Sequence, residues 1–247
     1  GQAFQYCMNG TTRYNFMCHL TGKLSETAKM AGYQTYWDGM GVDVDSHCRG
    51  GFRIYANIVA DMKDCGFSSF NFEIINECHI VVEHNVFFNS RFFFNHQNGE
   101  NGYGFEFRHN TFIRDAQNRY ADANKIMEFM HKTPPEGTYR HSANVYDCPG
   151  QAMVFDTVSS VYEGNLYEGK TDHVPSQGFV VADPALCIPV MDTLDDYSYD
   201  GGIEGTRSFC DTDWFIPREG SPCYENGEIR YGADPEVLRG GKRHDKQ

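Results

Sequence analysis

The chain has 247 residues, with 22% charged and 40% hydrophobic residues, a formal net charge of −13 and a pI near 5.1. This length suits one domain with a sizeable core. The acidic balance argues against nucleic acid as a partner, because no basic stripe is present to neutralise phosphates. It also counts against a highly acidic polysaccharide, unless arginines and lysines line a local cleft. The apolar runs are too short to span a bilayer, and no signal peptide is visible.

Six asparagines mark a repeat along the chain. Each follows a short strand-like run and precedes another such run, and they are Asn15, Asn57, Asn85, Asn110, Asn144 and Asn165. From Asn57 onward they recur at intervals of roughly 20 to 35 residues, which is typical of stacked-repeat proteins. Sites in such proteins are built on one face from residues of neighbouring repeats.

Each repeat is predicted to contain three short β-strands. Overlaying one repeat on the next places residues 41–45 over 69–73, residues 52–57 over 80–85, and residues 58–61 over 86–89. The alternation of apolar and polar residues predicts strands with one buried face. We expect the asparagines to take the left-handed backbone at sharp corners and to form a ladder of amide hydrogen bonds. The alternative is an antiparallel sandwich with asparagine-rich turns.

Several stretches carry a resemblance to a known family. They are Asp-Gly-Met-Gly-Val-Asp-Val-Asp at 38–45, with the strand that ends at Asn57; the repeated Asn-Val-Phe-Phe and Asn-Thr-Phe-Ile units; and the segments 181–186 and 220–227. Over roughly residues 1–230 the chain resembles the right-handed parallel β-helix family of secreted carbohydrate-active proteins, in their C-terminal portion. The resemblance implies an all-β solenoid with an asparagine corner ladder and a loop-rich C-terminal segment. It does not fix the reaction, because the family contains hydrolases, lyases, epimerases and adhesins.

The predicted organisation has three parts. Residues 1–180 form the β-helix repeats, residues 181–236 form a closing segment packed on them, and residues 237–247 form a disordered tail. Because the sequence opens inside a repeat, we expect upstream sequence or a second chain to cover that end. The resemblance implies a bacterial protein that is secreted, periplasmic or at the cell surface.

The sequence contains nine cysteines. Their spacing does not match a zinc site, since no Cys-x-x-Cys motif occurs. Buried free thiols are the favoured interpretation. Cys210 and Cys223 are the best candidates for a disulfide.

A column of carboxylates on the first strand of each repeat is the principal candidate site. The overlay places Asp45 beside Glu73, with Asp43 pointing the same way, and carboxyl groups one repeat apart suit glycosidic hydrolysis. Asp45 and Glu73 would serve as the acid and the nucleophile or base, and Asp43 would orient them. Further along the same face we place Asn95 or His96, then Glu128 or His131, then Asp156, with His96 and Glu128 contacting substrate.

Two alternatives for the acidic residues stay open. Asp38, Asp43 and Asp45 could bind a structural calcium ion, since clustered carboxylates suit that cation. They could also be the solvated side of a strand. We expect no other cofactor.

Aromatic residues near this face are candidates for sugar binding. Tyr36 and Trp37 precede the Asp38-Gly39 turn, and Tyr103 follows a loop rich in glycine and asparagine. Exposed rings stack on the apolar faces of sugars, although the same rings could instead pack the loops against the repeats.

Basic residues on the second strand of each repeat define a competing site. Arg108, which we also place among the substrate-binding residues, His109 and Arg140 could supply the base and the cation that β-elimination from a uronate needs. The sequence therefore predicts a polysaccharide-active enzyme, first a glycoside hydrolase and second a polysaccharide lyase. A non-catalytic glycan-binding adhesin or tail-spike segment is the third hypothesis.

Overall fold

The protein is built from three parallel β-sheets that the chain enters in turn. The computed structural model describes residues 2–4, 6–20, 39–44, 48–70, 78–97, 103–120, 125–129 and 135–240. From the first strand to the fifteenth, consecutive strands enter the first, second and third sheets in strict rotation. All strand pairs in these sheets are parallel, so the antiparallel sandwich is excluded and the all-β, parallel prediction is confirmed.

The strands of each sheet follow the order of the repeats. The first sheet contains β1 (Gln2–Phe4), β4 (Val42–Val44), β7 (Cys65–Phe70), β10 (Phe92–Gln97) and β13 (Met127–Phe129). The second contains β2 (Met8–Arg13), β5 (Arg49–Tyr55), β8 (Cys78–Glu83), β11 (Tyr103–Arg108), β14 (Tyr139–Ser142) and β16 (Ser160–Glu163). The third contains β3 (Phe16–Cys18), β6 (Ile58–Ala60), β9 (Val86–Phe88), β12 (Thr111–Ile113), β15 (Val145–Ala152), β17 (Asn165–Lys170) and β18 (Phe179–Val181).

Short elements follow the last parallel strand. A parallel pair joins β19 (Tyr197–Ser198) to β20 (Arg207–Ser208), and an antiparallel pair joins β21 (Tyr224–Glu225) to β22 (Glu228–Ile229). Two 3-10 helices span Met191–Asp196 and Phe209–Asp211, and one α-helix spans Pro235–Leu238. No helix in the described ranges has the length and apolar character needed to cross a membrane.

The predicted registers of the second and third sheets are confirmed. Phe52 pairs with Ile80 in the second sheet, and Ile58 pairs with Val86 in the third. The predicted register of the first sheet is wrong. Asp43 pairs with Ser68, which is 25 residues away, and not with a residue at the 28-residue interval that separates Asn57 from Asn85. The connection from the first to the second strand is three residues longer in the repeat that contains Ser68 than in the repeat that contains Asp43.

The asparagine ladder is confirmed. Each side-chain amide donates to the side-chain oxygen of the next asparagine, at 2.8 to 3.1 Å, from Asn15 through Asn57, Asn85, Asn110 and Asn144 to Asn165. The same oxygen also accepts from the backbone N–H of the preceding member of the ladder. Asn85 additionally donates to the backbone oxygen of Ile54, so a buried amide satisfies donors and acceptors in three successive repeats.

The left-handed residue at each corner is not the asparagine itself. It is the residue before, with φ between 51° and 56°, namely Tyr14, Ala56, His84, His109, Ala143 and Gly164. The prediction that the asparagines adopt this conformation is therefore wrong by one position. The left-handed turn aims the following side chain along the stack, where its amide meets its neighbours.

The third sheet separates two apolar clusters. Alternate residues such as Val59, Phe87 and Tyr146 pack into the interior between the sheets. Residues between them, such as Ile58 and Val86, pack outward. That outer cluster is completed by the C-terminal segment, through the following buried residues: Leu186, Leu194, Tyr199, Phe209, Phe215, Tyr231 and Leu238. Leu238 lies beyond the predicted start of the tail at residue 237 and is nevertheless buried, whereas residues 241–247 lie outside the described ranges.

None of the nine cysteines forms a disulfide bond. The interpretation as thiols without a disulfide framework is confirmed, and the predicted Cys210–Cys223 disulfide is not formed. Both side chains are buried in the outer cluster instead, where Cys210 donates to the backbone oxygen of Tyr199. Cysteine is small and apolar enough to pack in such a core without a covalent partner.

An interior member of the ladder is expected to matter more than a terminal one. Asn85→Leu should lower the free energy of unfolding by about 3–4 kcal/mol, because it leaves backbone and amide groups of two neighbouring repeats buried without partners. Asn15→Leu, at the partly exposed end of the ladder, should cost about 1–2 kcal/mol. Urea denaturation followed by circular dichroism measures both. Equal losses would show that the ladder does not stabilise the stack cooperatively.

Candidate functional site: a charged groove on the second sheet

Most of the predicted carboxylate column lies outside the described residues. This holds for Asp38, Asp45 and Glu73, and for the aromatic candidates Tyr36 and Trp37. For Glu128 and Tyr103 only the strands are described. The backbone register places Glu128 beside Asn95, which is one of the pairings that the predicted order along this face allowed.

Of the three residues assigned to catalysis, Asp43, Asp45 and Glu73, only Asp43 has a described side chain, and it is 7% exposed. Its Oδ1 accepts a hydrogen bond of 2.6 Å from Ser68 Oγ. It therefore belongs to a buried polar contact between neighbouring strands, and the alternative of a solvated strand face does not hold at this position. Calcium binding at Asp38, Asp43 and Asp45 stays a prediction.

His96 is a core residue. It is 1% exposed and packs against Phe94, Phe105 and Tyr139, whose hydroxyl contacts its Nδ1. Burial lowers the pKa of His96 to about 4, so the imidazole is neutral at physiological pH. The prediction that His96 contacts substrate is wrong, because the apolar interior surrounds the ring.

A groove of about 550 Å³ lies on the outer face of the second sheet. It crosses β2, β5, β8 and β11, so four successive repeats contribute to it. Phe52 and Val81 give the groove apolar surface, and its polar and charged lining residues are Asn9, Thr11, Arg53, His79, Glu83 and Arg108. Alternation along each strand produces this lining, since the intervening residues, such as Ile54 and Val82, point into the core.

Glu83 is the central charge of the groove. Arg108 Nε lies 2.7 Å from its Oε2, and Arg53 Nε contacts its Oε1. Burial alone would raise the pKa of Glu83, but hydrogen bonds from Arg108 and Arg53 outweigh burial and leave the pKa below its usual value. The groove thus holds a carboxylate that stays ionised although its side chain is only 6% exposed.

A second carboxylate, Glu106, stands beside the first. Arg108 Nη1 lies 3.7 Å from Glu106 Oε2, and His79 Nε2 lies 3.4 Å from Glu106 Oε1. Because one guanidinium contacts both carboxylates, the two carboxyl groups lie within roughly 9 Å of each other. Glu106 and His79 are partly exposed, so both are accessible from solvent.

The other basic candidates occupy different positions. His109 stacks on His84 at the asparagine corner, with ring centroids 5.2 Å apart. Burial lowers the pKa of His109 below its usual value. Arg140 is exposed on β14, beside Glu106 in the sheet. Of the three basic residues proposed from the sequence, only Arg108 lines the groove.

Glu83, Glu106 and His79 were not predicted from the sequence. The alignment of residues 52–57 with 80–85 does contain a signal for Glu83, because it places this carboxylate one repeat from Arg53 and Tyr55. A buried carboxylate between two arginines can be recognised only when the side chains on the same face of the sheet are grouped.

A second group of carboxylates lies where the C-terminal segment meets the third sheet. Asp147 pairs in register with Glu168 on the next strand, and Asp183 and Asp115 lie close by. Burial, together with the neighbouring charges of Glu168, Asp183 and Asp115, raises the pKa of Asp147 to about 8. At neutral pH Asp147 is thus a protonated carboxylic acid that donates a hydrogen bond to Glu168.

This pair predicts a pH-dependent stability. The pKa of Asp147 is about 8 in the folded protein and has its ordinary value of 3.8 in the unfolded chain. Between these two pH values the folded state therefore binds one proton more than the unfolded state. Its stabilising contribution is complete below about pH 4 and disappears as the pH rises through about 8. Asp147→Asn keeps a donor for Glu168 without titrating, so its melting temperature should fall less than that of the wild type between about pH 5 and pH 9.

Thermal melts across this pH range test the expectation. The exposed Asp172→Asn serves as the control and should follow the wild-type curve. Parallel curves for the wild type and Asp147→Asn would mean that Asp147 is already ionised in the folded protein at neutral pH.

Comparisons with known proteins leave the family open: no protein-family model, curated protein or solved structure matches this chain.

Proposed function

We propose that the protein is a polysaccharide-active enzyme, a glycoside hydrolase whose site is the groove on the second sheet. The proposal includes the fold in its finer form, with the three parallel sheets as the faces of a right-handed parallel β-helix. It also includes a location outside the cytoplasm, secreted, periplasmic or at the cell surface. The single observation that supports the reaction is a pair of carboxylates on one guanidinium: Arg108 contacts Glu83, which lines the open groove, and Glu106, which lies beside it.

The two carboxyl groups differ in their surroundings, and we assign them different roles in glycosidic cleavage. Glu83 is held ionised by Arg53 and Arg108, which suits a base that activates water or a nucleophile that attacks the anomeric carbon. Glu106 is the more exposed of the two and can protonate the oxygen of the leaving sugar. A separation of roughly 6.5–9.5 Å favours inversion and roughly 5–5.5 Å favours retention.

The remaining lining can bind sugar hydroxyl groups. Asn9 and Thr11 present amide and hydroxyl groups, and Arg53 and His79 present N–H donors along the same face. An open groove that crosses four repeats accommodates an extended chain better than a compact small molecule. A polysaccharide or oligosaccharide is therefore the proposed substrate class.

A lyase is the second candidate, and one observation favours it. Two guanidinium groups and the exposed imidazole of His79 share the groove, and β-elimination needs a cation beside the uronate carboxylate and a base for the neighbouring proton. Glu83 already neutralises much of the arginine charge, which weakens this alternative.

An activity screen distinguishes these reactions. The wild type is incubated with plant, algal and host polysaccharides, and new reducing ends and the ultraviolet absorbance of unsaturated uronates are recorded. We expect reducing ends without that absorbance, and a loss of at least about 100-fold in Glu83→Gln and Glu106→Gln. Glu163→Gln, an exposed glutamate on β16 of the same sheet, is the matched control and should retain activity.

Further variants locate the site. Asp45→Asn and Glu73→Gln test the column predicted from the sequence, and a selective loss in these variants would move the site to the first sheet. Ultraviolet absorbance in the wild type would indicate a lyase. Binding of a glycan without any product would favour the adhesin or tail-spike hypothesis. Melting temperatures of all variants separate lost chemistry from lost folding.

A further inference from the structure

Cys18, His19 and Asp195 bring three metal-binding atoms together away from the groove. Cys18 is the last residue of β3, His19 follows it, and Asp195 belongs to the 3-10 helix Met191–Asp196. Cys18 Sγ lies 3.6 Å and His19 Nε2 lies 3.7 Å from the same oxygen, Oδ1 of Asp195. All three atoms lie within 4.8 Å of one another.

The backbone of His19 makes this grouping possible. Side chains of consecutive strand residues normally point to opposite faces of a sheet. His19 has a φ of 54°, so the chain turns through the left-handed region where β3 ends. Its imidazole is thereby turned to the side where the Cys18 thiol faces Asp195.

The histidine is oriented by groups behind it. His19 Nδ1 lies 2.7 Å from Oδ2 of Asp61, and Asp61 is 2% exposed. Arg119 Nε donates to the other oxygen of Asp61 at 2.8 Å. A carboxylate that accepts the N–H of one ring nitrogen fixes the tautomer and leaves the lone pair of the other nitrogen available, and metal-binding histidines usually have such a partner.

The other ring nitrogen of His19, Nε2, faces Cys18 and Asp195. His19 Nε2 is shielded from solvent and has no hydrogen-bond partner among the described residues. A buried, unpaired ring nitrogen is costly to the folded protein unless something binds it. Its direction, toward the Asp195 carboxylate and next to a thiol, indicates a cation as the missing partner.

We propose that Cys18, His19 and Asp195 bind a zinc ion. With ordinary zinc–sulfur, zinc–nitrogen and zinc–oxygen distances, a tetrahedral site has a sulfur–oxygen edge of about 3.6 Å and a nitrogen–oxygen edge of about 3.4 Å. The observed distances of 3.6 Å and 3.7 Å match these edges to within a few tenths of an ångström. On binding, the thiol releases its proton to solvent, and the thiolate and carboxylate together neutralise the dication.

The choice of zinc follows from the donor set. Sulfur and imidazole donors disfavour calcium and magnesium, which prefer oxygen ligands, whereas zinc accepts sulfur, nitrogen and oxygen donors. Three protein ligands leave a fourth position, which opens to a cavity of about 670 Å³. Asp192 and Gln117 also line this cavity, so an exogenous ligand or water at the metal would find polar neighbours.

Metal titration of the full chain tests the site directly. After dialysis against a chelator, zinc is added and followed by isothermal titration calorimetry, and cobalt(II) is added separately and followed by absorption spectroscopy. We expect one zinc ion per chain and, for cobalt, a thiolate charge-transfer band with the visible bands of a tetrahedral complex. No zinc binding to the folded wild type, or a cobalt spectrum without the thiolate band, would overturn the proposal.

Variants assign the ligands without relying on activity. Asp195→Asn changes an exposed carboxylate, and His19→Asn suits the left-handed backbone, so both variants should fold. Each of these variants, and Cys18→Ser, should weaken zinc binding by at least about 100-fold, while Asp61→Asn should weaken it by about 10- to 100-fold. Cys187→Ser, at another free thiol, should bind zinc like the wild type. Unchanged affinity in Asp195→Asn and His19→Asn would overturn the site.

Discussion

The amides of six stacked asparagines connect every repeat of this protein to the next. A chain that turns sharply at the end of each second-sheet strand exposes backbone N–H and C=O groups at a buried corner, and these groups must be satisfied inside the protein. Each asparagine meets this need twice, through its oxygen and through its amide hydrogens. The ladder fixes the alignment of the second and third strands in all repeats, and therefore which side chains share a face.

Both sites proposed for this protein depend on that alignment. The groove forms because paired residues of neighbouring second-sheet strands point their side chains to the same outer face. Arg108 therefore contacts both Glu83 and Glu106 on that face. The Cys18–His19–Asp195 cluster lies instead at the end of a third-sheet strand, where the C-terminal segment folds back on the outer face. The first site uses the repeats alone, and the second needs the segment that covers them.

The first sheet shows the limit of repeat alignment. Residues 42–44 can be aligned with a later segment at a shift of either 28 or 25 residues. Both shifts pair the two valines with apolar or small residues and Asp43 with a polar residue, so periodicity alone does not select the register. The lengths of the connections decide the register, and they differ between the first sheet and the other two. His96 illustrates a related limit. A histidine on a strand can face solvent or core, and here the interior accepts it because Phe94, Phe105 and Tyr139 surround the neutral ring.

The sequence by itself determined the repeat, the ladder, the parallel sheets and two of the three registers, because these follow from local periodicity and from the chemistry of asparagine at a corner. Within the corner, the left-handed conformation was predicted one position too late, since the residue before each asparagine adopts it. Only the tertiary structure decided which charges meet. Asp195 lies 177 residues from Cys18, and no local pattern in the sequence encodes that contact. It arises because apolar residues after the last parallel strand must be buried, and burying them on the third sheet carries Asp195 to the end of β3.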